Sequence, residues 1–225
     1  MTCRVKHPKF LNLQSILEDS FINEPAQRGR PKQAPKSAKQ KEKKIIEAAK
    51  KRFKEDGFAS VSMRKIAADV GMGAMTLYKY FDSKNEILHH IWEEFFVELF
   101  QEQRMRIDAA ETATDKYRAA CHAYLDYWFN HPDRFRMVFL NEDRASQDSQ
   151  FFVNHADMES RMNEVFLPLT KQVFPEMDAE QCLVSMQSIA CQLHGIALNV
   201  VTISEHEWSK PSALLDYYLD LLLRD

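Results

Sequence analysis

The stretch that decides the fold reads Ser62-Met63-Arg64-Lys65-Ile66-Ala67-Ala68-Asp69-Val70-Gly71-Met72-Gly73-Ala74-Met75-Thr76-Leu77-Tyr78-Lys79-Tyr80-Phe81. Its apolar residues predict two short helices, near 63 to 70 and 74 to 80, which are joined by a turn at Gly71. A helix, a tight turn and a second short helix form a unit that fits the major groove of DNA. The stretch therefore predicts a helix-turn-helix at about residues 62 to 84.

The charge of the chain is divided along its length. Residues 26 to 84 carry sixteen Lys and Arg against six Asp and Glu, whereas residues 85 to 225 carry eleven against twenty-four. Phosphate contacts supply most of the sequence-independent affinity for DNA, so this division predicts a small DNA-binding part and a larger part that stays away from DNA. Double-stranded DNA is the partner that we expect.

Apolar residues outside the stretch repeat at helical spacing, and only five glycines occur in the chain. We therefore predict an all-α protein of about nine helices. The other helices are predicted near 41 to 56, 84 to 109, 113 to 130, 133 to 140, 150 to 173, 179 to 203 and 211 to 224. Capping signals at Ser83 with Glu86 and at Asp178 with Gln181 mark two of the starts.

These patterns divide the chain into three predicted parts. Residues 1 to 40 form a flexible tail with a basic arm, residues 41 to 86 form the DNA-binding domain, and residues 87 to 225 form a domain for effector binding and dimerisation. Residues 26 to 40 have almost no large apolar side chains, so they cannot fold alone. For residues 1 to 25 the sequence indicates no role.

The segment from residue 41 to 88 resembles the TetR family of regulators. The resemblance rests on Gly57-Phe58, Ile66-Ala67, Val70-Gly71, Thr76-Leu77-Tyr78-Lys79-Tyr80-Phe81 and Ser83-Lys84-Asn85-Glu86-Ile87-Leu88, in that order and spacing. It implies that Ser62 and Arg64 touch the DNA backbone and that Lys84 binds a phosphate. It also implies a reading helix that carries Gly73, Ala74, Met75, Thr76, Tyr78, Lys79 and Tyr80.

The tip of this reading helix departs from the family pattern. Where the family often has a polar Ser-Lys-Gly or similar, Gly73-Ala74-Met75 offers few hydrogen-bond donors to base edges. Ala74 and Met75 suit thymine methyl groups, which leaves Lys79, Tyr78 or groove shape to supply the remaining specificity. We therefore expect the helix-turn-helix to position the protein on DNA more than it reads bases.

A second candidate DNA contact precedes the domain. Arg28-Gly29-Arg30-Pro31-Lys32 resembles the core of an AT-hook, in which an extended Arg-Gly-Arg lies in a narrow minor groove. The resemblance predicts that Arg28, Arg30 and Lys32 bind the minor groove beside the helix-turn-helix. A basic tail that only keeps the protein in solution is the alternative.

Bulky apolar side chains from several helices of the larger part suit a pocket for a small apolar effector. The candidates are Trp92, Phe96, Trp128, Phe135, Phe139, Phe152, Met162, Met186 and His194. The alternative is that each of them belongs to an ordinary core. Residues 118 to 140 also resemble one TetR subgroup, a likeness that identifies no ligand.

The last two predicted helices are candidates for a homodimer interface. The helix at 179 to 203, which has no Asp, Glu, Lys or Arg after Glu180, has Ala190, Gly195 and Ala197 where close approach needs small side chains, and the helix at 211 to 224 has an apolar stripe. A homodimer would place two reading helices about one DNA turn apart on a near-palindromic operator. The predicted function is a ligand-responsive repressor, and the alternative is a ligand-independent architectural or nucleoid-type DNA-binding protein.

Other classes find little support in the sequence. The four cysteines lie far apart without a Cys/His cluster, and no nucleophile, metalloprotease or phosphate-loop motif occurs. We therefore expect no enzyme activity, no cofactor and no metal. Polar residues interrupt the longest uncharged stretch, 181 to 204, and no secretory signal is evident, so we expect a cytoplasmic protein without a membrane span.

Overall fold

The computed structural model describes residues 35 to 140 and 155 to 224. Within these ranges the chain forms nine helices and no strand, which confirms the predicted all-α fold. The helices are α1 (Pro35–Asp56), α2 (Met63–Asp69), α3 (Ala74–Leu77), α4 (Lys84–Ala109), α5 (Ala113–Asn130), α6 (Pro132–Phe139), α7 (His155–Val173), α8 (Ala179–Thr202) and α9 (Pro211–Leu222).

Helix α1 begins six residues earlier than the sequence predicts. The predicted arm was expected to lack structure as far as residue 40, yet residues 35 to 40 are helical. Proline is well suited to the first turn of a helix, because the N–H group that it lacks has no partner there. The lysines, alanine and glutamine that follow are favourable helix formers, so the helix extends outward beyond its buried part.

Helix α3 is shorter than predicted and ends at Leu77 instead of residue 80. After Leu77 the backbone bonds tighten, because Lys79 N donates to Thr76 O at 3.2 Å and Tyr80 N donates to Leu77 O at 2.9 Å. Such bonds to the third preceding residue form a tighter turn than an α-helix. The turn brings Phe81, a buried residue, back into the core.

The head of the molecule, α1 to α3 with the first turns of α4, has a small apolar core. Ile66 on α2 and Leu77 on α3 are fully buried and hold these two helices together. Phe53 at the end of α1 packs on Phe58, with ring centroids 4.9 Å apart. The core therefore fixes the orientation of α2 and α3 relative to α1.

The body, from the middle of α4 to α9, is built around α5. This helix contacts α4, α6, α7, α8 and α9. Its Trp128 is fully buried, and the ring centroids of Phe96, Phe135 and Phe139 lie 5.9, 5.7 and 5.3 Å from that of Trp128. Aromatic packing around one helix thus provides much of the core of the body.

Both predicted capping signals are confirmed. The Ser83 hydroxyl accepts a hydrogen bond from Glu86 N at 3.1 Å, and the Glu86 carboxylate accepts one from Asp82 N. At α8, Asp178 and Gln181 form a reciprocal capping box. These caps fix the first residues of α4 and α8.

Candidate nucleic-acid interface

The turn between α2 and α3 depends on Gly71. Its φ is +68°, in the left-handed region that side chains other than glycine rarely adopt. A Cβ placed at Gly71 would meet no atom within 4 Å, so the backbone conformation and not the available space favours glycine. Met72 N then donates to Ala67 O at 2.9 Å, which closes the turn.

The start of α2 presents polar side chains at the surface. Ser62 is the N-cap residue, and its hydroxyl accepts a hydrogen bond from Lys65 N at 3.3 Å. Ser62 and Arg64, which the family resemblance assigns to the DNA backbone, are both exposed. Hydroxyl and guanidinium groups are common donors to phosphate oxygens, so both remain candidates for that contact.

The outer face of α3 and the turn after it form an exposed surface of the head. Met75 is 79% exposed and Tyr78 is 47% exposed. Thr76 and Lys79 are also exposed, as is Gly73, the N-cap residue of the helix. This surface combines a thioether, hydroxyl groups and an ammonium group on a helix that fits a groove.

The remaining predicted residues of the reading helix are less accessible. Ala74 and Tyr80 are half-buried and pack against the core. A contact between Ala74 and a thymine methyl group therefore has less surface available than a contact by Met75.

Lys84 lies at the first turn of α4, beside the loop that follows α1. Its ammonium donates a hydrogen bond to Phe58 O at 3.0 Å and lies 4.2 Å from the centroid of the Phe58 ring. The side chain is half-buried, so its ammonium is held in place near the start of α4. A phosphate bound there would also lie at the N-terminal end of α4, where the helix dipole favours an anion.

A charged clamp joins α1 to the end of α2. The Arg52 guanidinium donates two hydrogen bonds to Asp69, at 2.6 and 2.7 Å, and a third to Asp56 at 3.1 Å. Hydrogen bonding by Arg52 lowers the pKa of the Asp69 carboxyl group. No pattern in the sequence predicts this clamp, because Arg52 and Asp69 belong to different helices and no helical spacing relates them.

Residues 45 to 91 match the family model of the bacterial regulatory proteins of the tetR family. This match covers α2, α3, the turn between them and the start of α4, the elements that carry the exposed surface described above. Residues 45 to 91 are thus similar to the DNA-binding segment of the TetR family. This family resemblance lies in the head of the molecule.

Curated relatives match a short part of this chain. An HTH-type transcriptional regulator of Staphylococcus aureus (strain USA300) is 38% identical over 56 residues, which are 25% of this chain. The matched stretch spans 30% of the length of that relative. This similarity in sequence therefore covers about a quarter of the chain.

Solved structures extend the likeness to the body as a likeness of fold. The fatty acid degradation regulator FadR from Bacillus halodurans superposes with a TM-score of 0.64 at 21% identity, over 86% of this chain and 97% of that one. A tetR-family regulatory protein from Rhodococcus RHA1 superposes with a TM-score of 0.59 at 19% identity, over 81% and 95%. The arrangement of all the helices is thus that of the TetR fold.

The predicted pocket residues lie mainly in the core of the body. Trp92, Phe96, Trp128, Phe135 and Met186 are buried, and Phe139, Met162 and His194 are half-buried. The structure brings several of them together, because the His194 ring lies 4.5 Å from Phe139 and 5.5 Å from Phe135. Phe152 lies outside the described residues, as do Arg28, Arg30 and Lys32 of the predicted arm.

A groove of about 820 Å³ lies elsewhere in the body, between α4, α5 and α7. None of the eight described candidates for the pocket lines it. Its apolar residues include Val97, Phe100, Val165 and Leu169. Its charged residues are Arg104, Asp108, Lys116, Arg161 and Glu164. The groove could not be predicted from the sequence, because bulky apolar residues alone do not show which side chains fill the core.

Two absences apply to the described part of the chain. No helix there is long and apolar enough to cross a membrane. Within the same residues, no group of His, Cys, Asp and Glu side chains is arranged to hold a metal ion.

Proposed function

We propose that this chain is a TetR-family DNA-binding transcriptional regulator whose α3 enters the major groove. The exposed surface of α3, with Met75, Thr76, Tyr78 and Lys79 around the Gly71 turn, is the observation that carries the proposal. Hydroxyl and ammonium groups suit phosphate oxygens, and the Met75 side chain suits the methyl group of thymine. In this proposal residues 41 to 86 bind DNA and residues 87 to 225 control that binding.

Selection of bound duplexes from a random pool tests this proposal directly. We expect the full chain to enrich a near-palindromic site and to bind it less tightly as salt increases. The variant Tyr78→Ala/Lys79→Ala should bind the selected site about 10- to 100-fold more weakly, because it loses contacts in both half-sites. Lys171→Ala, a change at an exposed position of α7, is the control and should bind like the wild type. A wild-type chain that forms no sequence-preferring, salt-sensitive complex would contradict the proposal.

We propose that the regulator is a homodimer formed through α8 and α9. The structure favours different contact residues from those of the sequence prediction, because Ala197, Leu215 and Leu219 are fully buried within the protomer. Other large apolar side chains of these helices point outward. Leu183 and Val184 on α8 and Tyr217 and Leu221 on α9 are all exposed, with Val184 at 55% and Tyr217 at 72%.

A charge placed on this outward face tests the dimer. The variant Val184→Glu should dissociate the dimer in sedimentation experiments, because an unpaired carboxylate is costly to bury in an apolar interface. Met105→Glu introduces the same charge at an exposed apolar position on α4 and serves as the control. If the wild type and both variants all sediment as monomers, the proposed interface is wrong.

We propose that the effector is a molecule with an apolar body and an anionic end, and that it binds in the groove between α4, α5 and α7. Phe100 and Val165 offer apolar surface there, while Lys116 and Arg161 supply positive charge within an otherwise acidic body. Arg104, a third cation of the groove, pairs with Asp108 at 3.5 Å. An apolar chain would lie along the groove, and its carboxylate would meet the cations.

The body reaches the head through α6. Lys54 at the end of α1 pairs with Asp133 at the start of α6 at 2.8 Å. The neighbouring Arg134 donates to the Tyr127 hydroxyl at 2.8 Å and pairs with Glu98 on α4. An effector that favours a different position of α6 would thereby change the spacing of the two heads and release the operator, which is the repressor behaviour that we propose.

Two probes of equal chain length test the effector proposal. Dodecanoate should weaken the complex with the selected operator, whereas dodecanol, which lacks the charge, should have a smaller effect. Val165→Trp should fill the groove and remove the response to dodecanoate while leaving operator binding intact. Met105→Trp is the matched control outside the groove. If both variants respond like the wild type, the groove is not the effector site.

A further inference from the structure

The two halves of α1 use their basic residues differently. In the second half, Lys50 pairs with Glu94, Arg52 with Asp69 and Lys54 with Asp133, at 2.6, 2.6 and 2.8 Å. The first ten residues, 35 to 44, carry five lysines and one glutamate. We call these ten residues the α1 extension.

Four lysines of the α1 extension have no ion-pair partner among the described residues. Lys39, Lys41, Lys43 and Lys44 form no ion pair with any residue in the described part of the chain. No residue from 37 to 44 is buried, and the first buried residue of α1 is Ile45. Residues 37 to 44 therefore bury no side chain fully in the core, yet they continue the helix with a dense positive charge.

The register between α1 and α4 indicates where the α1 extension lies. Lys50 meets Glu94, and one turn later Lys54 meets Asp133, whose neighbour Arg134 pairs with Glu98. The two helices thus run side by side in the same direction, with an offset of 44 residues. Residue 40 is then level with Lys84, and Pro35 lies about 7 Å further out, because an α-helix rises about 1.5 Å per residue.

Two lysines of the α1 extension, Lys39 and Lys43, are exposed and share a helix face with Lys50. Lys39 and Lys43 are separated from Lys50 by eleven and seven residues, spacings that place all three on one face of a helix. Lys50 uses this face to reach α4. Lys39 and Lys43 are therefore expected beside the start of α4, next to the exposed surface proposed to bind DNA.

We propose that the α1 extension binds phosphate groups of the DNA flank, next to those bound at the start of α4, through Lys39, Lys43 and their neighbouring lysines. The proposal rests on the DNA-binding function proposed above and adds a separate site to it. Flexible ammonium groups contact phosphates as point charges without reading bases. The site therefore raises affinity and salt dependence and leaves the base preference unchanged.

The test compares two double variants of the full chain on the selected operator. Lys39→Gln/Lys43→Gln removes two charges from the α1 extension. Lys51→Gln/Lys171→Gln removes two exposed charges from the body-side half of α1 and from α7 and is the matched control. Dissociation constants are measured over a series of salt concentrations, and the preferred sequence of each variant is selected anew.

The first variant should bind at least about 10-fold more weakly at low salt. Its slope of log affinity against log salt should fall by about 2 to 4, since each lost phosphate contact removes about 0.9 and a dimer loses up to four. Its selected sequence should match that of the wild type. If the slope and the affinity of the first variant equal those of the control, the proposed α1 site is wrong, whereas the proposed operator binding is unaffected. A wild-type chain without any salt-sensitive complex would instead overturn the proposed function, and the α1 site with it.

Discussion

The head and the body of this chain are both helical, but they are related to other proteins in different ways. The head contains the residues that match the tetR family model, 45 to 91, whereas the likeness to FadR from Bacillus halodurans over 86% of the chain is one of fold at 21% identity. The head also places its polar and basic side chains on an outward surface, while the body gathers its aromatic residues around Trp128.

This difference indicates which part of each region is constrained. The head has to present a short helix at a fixed angle, so its turn at Gly71, its caps and its small core are closely specified. The body has to bury an apolar centre and hold α6 against α1, and many combinations of apolar residues satisfy that requirement. A bulky apolar residue in the body therefore indicates a core position more strongly than it indicates a ligand contact.

The largest effect is expected at the centre of the body. Trp128→Ala should lower the free energy of unfolding by about 3 to 5 kcal/mol, because it leaves a cavity among packed aromatic rings. Urea denaturation of the purified chain measures the loss. Trp208→Ala, a change in the loop between α8 and α9, is the control and should cost about 1 kcal/mol or less. Similar losses in the two variants would show that Trp128 lines open space and that the sequence-predicted pocket exists.

The same substitution at two glycines should have opposite effects in the head and in the body. Gly71→Ala should lower the free energy of unfolding by about 1 to 2 kcal/mol, because alanine is strained at a φ of +68°. Gly195→Ala should raise it by up to about 1 kcal/mol, because alanine favours a helix interior and a Cβ at this position meets no atom within 4 Å. Thermal unfolding of both variants checks the signs. Destabilisation by Gly195→Ala would indicate that a partner copy approaches this position closely.

The smallest effect concerns the clamp between α1 and α2 and depends on pH. The bond from Arg52 lowers the pKa of Asp69 in the folded chain, so the clamp stabilises the fold at pH values above the unfolded pKa of about 3.9. This contribution disappears as the pH falls through the folded pKa. Asp69→Asn should therefore be less stable than the wild type at pH 5 to 8, and the difference should shrink below about pH 4.

A second pair of chains isolates the clamp in that measurement. In an Arg52→Gln background, Asp69→Asn should change stability little, and the remaining difference should lack the pH dependence below about pH 4. Equal pH dependence in both backgrounds would show that a group other than Arg52 governs the Asp69 carboxyl.

Local patterns predicted most of the fold. Helix α5 has the predicted limits of 113 and 130, and the caps at Ser83 and Asp178 lie where their spacing indicates. Such signals act within one turn of a helix, so they are legible in a single sequence. The prediction was wrong at two helix ends. Helix α1 begins before its apolar pattern does, and α3 ends early because the backbone tightens to bury Phe81.

The candidate sites were predictable only in part, because exposure is a property of the packed molecule. The sequence alone determined that the chain is helical, that a helix-turn-helix lies at 62 to 84, and that the charge is divided between head and body. Periodicity, capping and charge are local quantities, which explains why they could be read. Only the tertiary structure decided that Met75 is exposed while Trp128 is buried, that Arg52 meets Asp69, and that a groove opens between α4 and α7. These facts depend on which helices become neighbours, and residues far apart in the chain determine that together.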